Sequence, residues 1–306
     1  MILCVSPNLC YDRVLIVPGF AAGGVHRATR ATPLAGGKGL NVARAATALG
    51  ESVVVVGFIG GAAGEAIARG ARQGRLILDA VRVPGESRWC TIIVDPGRTE
   101  TVINERGVAA ERQALRALRR RVRRHLSRAR VVVLTGSLPP GTPDDLFARL
   151  IADVAPRPTI LDSSGEGLRR GLGASPTVAK PNRLELEEAA GRRLPTLRDV
   201  ADAGQRLRDR GVAWVVITLA EKGAVVVCAD GAWHLRAPPV ERINAVGAGD
   251  ALAAGLAVGL ARSLAPLEAA RLGVAAAAAD VCTELPGDLT IAMVAGLMPD
   301  VSVRRL

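Results

Sequence analysis

Short runs of apolar, β-branched residues alternate along the chain with stretches whose apolar positions recur at three- and four-residue spacing. Val53 to Gly57, Val131 to Thr135, Thr159 to Asp162 and Trp214 to Thr218 are predicted to be buried strands. Between them the spacing predicts helices over Asn41 to Leu49, Gly64 to Gln73, Glu111 to Leu126, Asp144 to Ala155, Arg183 to Ala190 and Leu197 to Arg210, with a small-residue helix over Ala251 to Leu260. Such alternation specifies an α/β protein: a mostly parallel central sheet flanked by helices on both faces, binding ligands beyond the carboxyl ends of its strands.

Two stretches, 12–32 and 88–104, break the alternation. Their strand-like residues are punctuated by Pro18-Gly19, Gly23-Gly24 and Asp95-Pro96-Gly97 rather than followed by helices. They are expected to leave the main sheet and form a small β lid that excludes water from the site. No internal repeat or linker-like tract divides the chain, so residues 1–306 are expected to form a single domain with the lid inserted.

Hydrophobic residues make up 49% of the 306, which suits one large buried core. No apolar run approaches the roughly 18 residues of a membrane span, and Met1 leads directly into strand-like Ile2-Leu3-Cys4-Val5, so a cytoplasmic location is expected. Cys4, Cys10, Cys90, Cys228 and Cys282 form no C-x-x-C pair and are read as reduced thiols; His26, His125 and His234 offer no zinc cluster. The net charge of +11 raises the question of nucleic acid, because much of it lies in Arg112 to Arg130. Leu115, Leu118, Val122 and Leu126 recur there at helical spacing, which makes the arginines the wet face of an amphipathic helix. With 2% aromatic residues there is also no stacking platform for single strands, so anionic metabolites account for the charge better than nucleic acid does.

The candidate chemistry lies in Asn244-Ala245-Val246-Gly247-Ala248-Gly249-Asp250, at the start of the small-residue helix. Gly247, Ala248 and Gly249 are too small to shield backbone N–H groups, so a phosphate can reach the positive end of the helix. Asp250 beside it can take the proton of an attacking hydroxyl, which is the layout of a phosphotransferase site. The competing reading is a Gly-Ala-Gly that serves tight packing of helix on strand, with Asp250 an ordinary first-turn acid. A second loop, Ala35-Gly36-Gly37-Lys38-Gly39-Leu40-Asn41, places bare backbone, a cation and an amide at a helix start. It is not a Walker A loop, which requires Ser or Thr directly after the lysine, and no G-x-G-x-x-G fingerprint precedes a helix.

Together these two loops resemble the PfkB branch of the ribokinase-like carbohydrate kinases. The resemblance extends through Asn8-Leu9-Cys10-Tyr11-Asp12, Ser87-Arg88-Trp89-Cys90, Asn104-Glu105-Arg106-Gly107, Gly136-Ser137-Leu138-Pro139-Pro140-Gly141 and Lys180-Pro181-Asn182-Arg183-Leu184-Glu185, and is similar to the phosphofructokinase and tagatose-6-phosphate kinase branch. It implies an ATP-dependent kinase of a phosphorylated ketohexose, with Mg2+ brought in by the nucleotide. Asp250 matches the catalytic base and Gly247, Ala248 and Gly249 the anion hole. Asp12, Gly37, Asn41 and Ser137 match the sugar site; Lys38 and Arg88, with Arg27 a weaker match, take the phosphate already on the sugar. Lys180, Asn182, Glu185, Thr218 and Gly223 match the nucleotide side, Glu185 touching the metal through water.

Three positions depart from the pattern. Ala245 lacks a hydroxyl, Ala220 stands where glycine is usual and is expected to narrow the ATP pocket, and Ile92 replaces a lysine common in 1-phosphofructokinases. The identity of the sugar therefore stays open among fructose 1-phosphate, fructose 6-phosphate and tagatose 6-phosphate. A kinase of an unphosphorylated sugar or nucleoside would have no use for Arg88, and a non-catalytic sugar-phosphate binder would not need the intact Gly-Ala-Gly-Asp. No nucleic acid or membrane partner is expected. The free edges of the lid suggest a homodimer.

Overall fold

The first strand, β1 (Ile2–Asn8), already separates two cores. Ile2 and Cys4 join one apolar cluster and Leu3 and Val5 the other, because successive side chains of a strand point to opposite faces of the sheet. In the computed structural model, which describes residues 1–96 and 99–306, this division runs along the large sheet to which β1 belongs.

The strands after β1 are β2 (Cys10–Ile16), β3 (Arg30–Gly36), β4 (Val53–Ile59), β5 (Ile77–Leu78), β6 (Val81–Arg82), β7 (Arg88–Val94), β8 (Glu100–Asn104), β9 (Val131–Thr135), β10 (Thr159–Asp162), β11 (Val178–Ala179), β12 (Trp214–Thr218), β13 (Ala224–Cys228), β14 (Gly231–Arg236) and β15 (Ser302–Arg305). The helices are α1 (Lys38–Ala48), α2 (Gly61–Gln73), α3 (Arg112–Leu126), α4 (Leu146–Val154), α5 (Gly165–Leu172), α6 (Arg183–Ala190), α7 (Leu197–Asp209), α8 (Ala248–Ala261), α9 (Pro266–Val281) and α10 (Ile291–Leu297). The large sheet runs β15-β14-β13-β12-β11-β10-β9-β1-β4-β5, with β6 also on β4. All pairings from β12 through β6 are parallel, and β13, β14 and β15 add an antiparallel edge. Helices α1, α2, α8, α9 and α10 cover one face and α3 to α7 the other.

The four predicted strands fall within β4, β9, β10 and β12, and the predicted helices within a few residues of α1, α2, α3, α4, α6, α7 and α8. Helix α3 buries Leu118 and Val122, while Arg119 and Arg121 pair with Asp153 and Asp79 on neighbouring elements. No element was anticipated at Gly165–Leu172 or over the β13–β14 hairpin. The small residues of α8 have a packing role along their length: a Cβ on Gly259 would lie 2.5 Å from that of Ala269, and one on Gly255 2.5 Å from the Gly273 backbone, so α8 and α9 touch almost backbone to backbone.

A second sheet stands apart in the order β3-β2-β7-β8. Strand β2 pairs antiparallel with β3 and parallel with β7, so the two excursions meet side by side. Gly97, part of the turn expected after Val94, lies outside the described residues. The inward face of this sheet carries Cys10, Val14, Cys90, Ile92 and Val94, packed against Val246 and Leu285 of the main body. Ile92 is therefore an apolar contact under the small sheet.

Candidate active site

Helix α8 begins immediately after Gly247, whose φ of 102° is left-handed and favours glycine. A Cβ there would also press on Pro286 at 2.6 Å and Asp280 at 2.9 Å. Gly249 behaves differently: it is exposed, and a Cβ on it would meet only the Lys180 ammonium, 3.8 Å away. The glycine at 249 thus opens the helix start toward a cation and solvent rather than toward a strand, whereas Gly247 is fixed by its turn and by packing. Asn244 pins the preceding turn: its Oδ1 accepts the Val246 N–H at 3.0 Å and its Nδ2 donates to the Glu284 carbonyl at 2.8 Å. At the departure Ala245, the backbone N–H donates to Glu100 on β8 at 2.8 Å, tying the small sheet to this turn.

Asp250 is buried, and Asn41 Nδ2 donates to its Oδ2 at 2.9 Å. Burial pushes the carboxyl up to about 6, against the opposing pull of the Lys38 ammonium. Lys38 itself reaches across to Asp162 at 2.8 Å, and Lys180 reaches the same Asp162 oxygen at 3.1 Å. Burial alone would lower the Lys38 ammonium, but Asp162 and Asp250 outweigh it and hold it above its usual range. Asp162 is fully buried; burial raises its carboxyl, yet the two lysines prevail and hold it low. Two cations and two carboxylates therefore converge at the open end of α8.

Asp162 was not among the predicted site residues. It closes β10, and a carboxylate ending an otherwise apolar strand was a usable signal, because ligands gather at the carboxyl ends of parallel strands. Lys38, grouped with Arg88 by the sequence, engages different partners: Arg88 donates to the Asn8 carbonyl at 3.2 Å and to Asn104 Oδ1 at 2.8 Å.

Asp12 is buried on the inward face of β2 beside Arg88. Cys10 donates its S–H to Asp12 Oδ1 at 2.7 Å and the Gly37 N–H points at the carboxylate. Burial raises the Asp12 carboxyl in spite of these donors. A side chain at Gly36 would overlap the Asp12 carboxylate, so bare backbone in this loop is what admits the acid. Ser137 accepts from Asn8 Nδ2 at 2.9 Å.

On the other side, Asn182 and Glu185 cap α6 reciprocally, Asn182 Oδ1 accepting the Glu185 N–H and Glu185 Oε2 the Asn182 N–H, both at 2.8 Å. Glu185 is thus partly a capping acid, and burial raises its carboxyl although Lys38 and Lys180 oppose this. Glu187 turns away to Arg183, Arg193 and the Leu194 N–H. Among the described residues no three His, Cys, Asp or Glu side chains form a metal cluster. A nucleotide-borne magnesium needs few protein ligands, and Glu185 keeps Oε1 outside its cap, so the donor set fits an ion held through water. Asn182 bridges to Thr218 across the sheet. Gly223 has its own structural reason, since a Cβ there would overlap the Leu235 carbonyl. Ala220 sits at φ 53°, the left-handed region where glycine is easier.

Comparison with known proteins identifies the family of the chain. The family model described as pfkB family carbohydrate kinase matches residues 1–290. A 1-phosphofructokinase of Bacillus subtilis (strain 168) is 31% identical over 309 residues, covering 100% of both chains. Phosphofructokinase-2 from Escherichia coli, solved in complex with potassium, superimposes with a TM-score of 0.90 at 28% identity, covering 97% of this chain and 98% of that one. A possible 1-phosphofructokinase from Thermotoga maritima gives 0.90 at 26% identity, covering 100% and 99%.

Proposed function

Since the chain belongs to the pfkB family of carbohydrate kinases, we propose that it transfers the γ-phosphoryl group of ATP to a hydroxymethyl group of fructose 1-phosphate, fructose 6-phosphate or tagatose 6-phosphate, with Asp250 as general base. The observation that carries this reading is the buried Asp250 carboxylate, held by Asn41 at a Gly-Ala-Gly helix start whose Gly249 is exposed, with Lys38 and Lys180 alongside.

In this reading the phosphosugar lies between the small sheet, acting as a lid, and the main body. Asp12 and Asn41 grip its hydroxyls, Gly37 and Ser137 line the same pocket, and Arg88 takes its phosphate bidentately. ATP lies along Lys180, Asn182 and Glu185, with Thr218 and Gly223 at its far side. Asp250 accepts the proton of the hydroxymethyl group while that oxygen attacks the γ-phosphorus in line. Backbone N–H groups of Gly247, Ala248 and Gly249 and the positive end of α8 face the phosphoryl oxygens, and the two lysines offset their charge. Magnesium, when bound near Glu185, supplies further neutralisation of the phosphates. The lid's unpaired edges suit a homodimer.

A coupled ADP-release assay against a panel of free sugars and hexose phosphates tests the reading. It predicts turnover confined to ketohexose phosphates; turnover of a free sugar or nucleoside at equal or better kcat/KM would replace it.

A further inference from the structure

Arg44 was singled out by no motif, yet its guanidinium ties three segments of the site together. It lies one helical turn after Asn41 on α1, half-buried. Nη1 donates to Asn41 Oδ1 at 3.2 Å and to the Pro286 carbonyl at 2.5 Å, and Nη2 donates to the Ala35 carbonyl at 2.8 Å. The oxygen and nitrogen of a side-chain amide are nearly alike in shape, so its orientation is set by what faces each end. A guanidinium only donates, so it can face only Oδ1. The other end, Nδ2, then has to face Asp250, as it does at 2.9 Å.

We propose that Arg44 is a positioning residue for phosphoryl transfer, locking the Asn41 amide in the orientation that keeps Asp250 ionised and occupied at Oδ2 alone. The proposal rests on Asp250 being the base. With the lock removed, the amide is free to turn its oxygen toward the carboxylate, which disfavours the charged form. The other groups that act on Asp250 are Lys38 from α1, Asp162 from β10, Lys180 after β11, Asp280 from α9 and Cys4 from β1. None of them touches the Asn41 amide as Arg44 does. Arg44 is itself ringed by Asp12, Asp288, Asp280 and Asp250, so its full removal also threatens folding.

Arg44→Lys keeps the cation but cannot hold the Ala35 and Pro286 carbonyls and Asn41 Oδ1 in one fixed fork. The test is the pH profile of kcat for the intact enzyme, with its best hexose phosphate and ATP saturating, in wild type, Arg44→Lys, Asn41→Ala, the double variant and Asp250→Asn, with ATP affinity measured by calorimetry. The acid limb of Arg44→Lys is expected to move up by about one pH unit, an approximately tenfold loss of ionised base below the limb, with ATP affinity unchanged. The double variant is expected to be no worse than Asn41→Ala, because Arg44 acts through Asn41. An unmoved limb in Arg44→Lys, or losses that multiply in the double variant, overturns the proposal while an inactive Asp250→Asn leaves the base in place. Near-normal turnover by Asp250→Asn overturns the base itself and the proposal with it.

Discussion

Asn41 and Asp250 stand 209 residues apart in sequence and are joined by a 2.9 Å hydrogen bond at the mouth of α8. The contact brings the start of α1 and the start of α8 to one point, and it leaves a buried carboxylate whose proton affinity is raised by burial to about 6. A base works only when ionised, so kcat is predicted to be flat at alkaline pH and to fall as the pH drops through about 6. The check is a kcat profile from pH 5 to 8.5 with both substrates saturating; a profile that rises toward acid would reverse the protonation state assigned to the base.

Asp162 holds two ammonium groups at once, Lys38 at 2.8 Å and Lys180 at 3.1 Å. Lys180 and Asp162 are both buried, so removing the acid strands a cation in the interior. Asp162→Ala is predicted to cost on the order of 3–5 kcal/mol in urea denaturation, far more than removal of an exposed pair such as Arg169–Glu166.

Arg88 bears on whether the acceptor already carries a phosphate. Arg88→Ala is predicted to raise KM for the hexose phosphate by about tenfold or more and leave KM for ATP within twofold, as measured by steady-state kinetics. Unchanged kinetics for the sugar would favour a kinase of an unphosphorylated acceptor.

Asp280 underlies the Gly247 turn. Its Oδ1 accepts the Gly287 N–H at 2.7 Å, its Oδ2 is buried without a partner, and burial raises its carboxyl to about 7. A carboxyl whose pKa is raised by folding stabilises the fold while protonated, below its unfolded value near 4, and that contribution is lost as pH rises through about 7. Asp280→Asn is therefore predicted to raise Tm by a few degrees at pH 8 and to change it little at pH 4, by thermal unfolding at the two pH values. Equal shifts at both would contradict a titrating Asp280.

Much of this architecture was readable in the chain because the buried strands are uninterrupted apolar runs and the helices have clear faces. The β13–β14 hairpin was missed because Val225 to Val227 look like any parallel strand, and antiparallel pairing with β14 leaves no mark in such a run. The loops at Gly36 to Asn41 and Gly247 to Asp250 were legible because close approach to Asp12 in the first and to Pro286 and Asp280 in the second demands small residues at fixed positions. Asp162, Arg44 and Asp280 were not, since each gains its meaning from partners that are distant in sequence. Helix α1 shows the limit well: its sequence announces Lys38 and Asn41, whereas Arg44 one turn later looks like an ordinary surface cation.

The central claim is that Asp250 takes the acceptor's proton at the head of α8. The most direct measurement is kcat of Asp250→Asn beside its affinity for ATP and its Tm, with the hexose phosphate that the wild type turns over best. Turnover is predicted to fall by about a hundredfold or more while ATP affinity and folding are retained. Turnover near that of the wild type would contradict the claim.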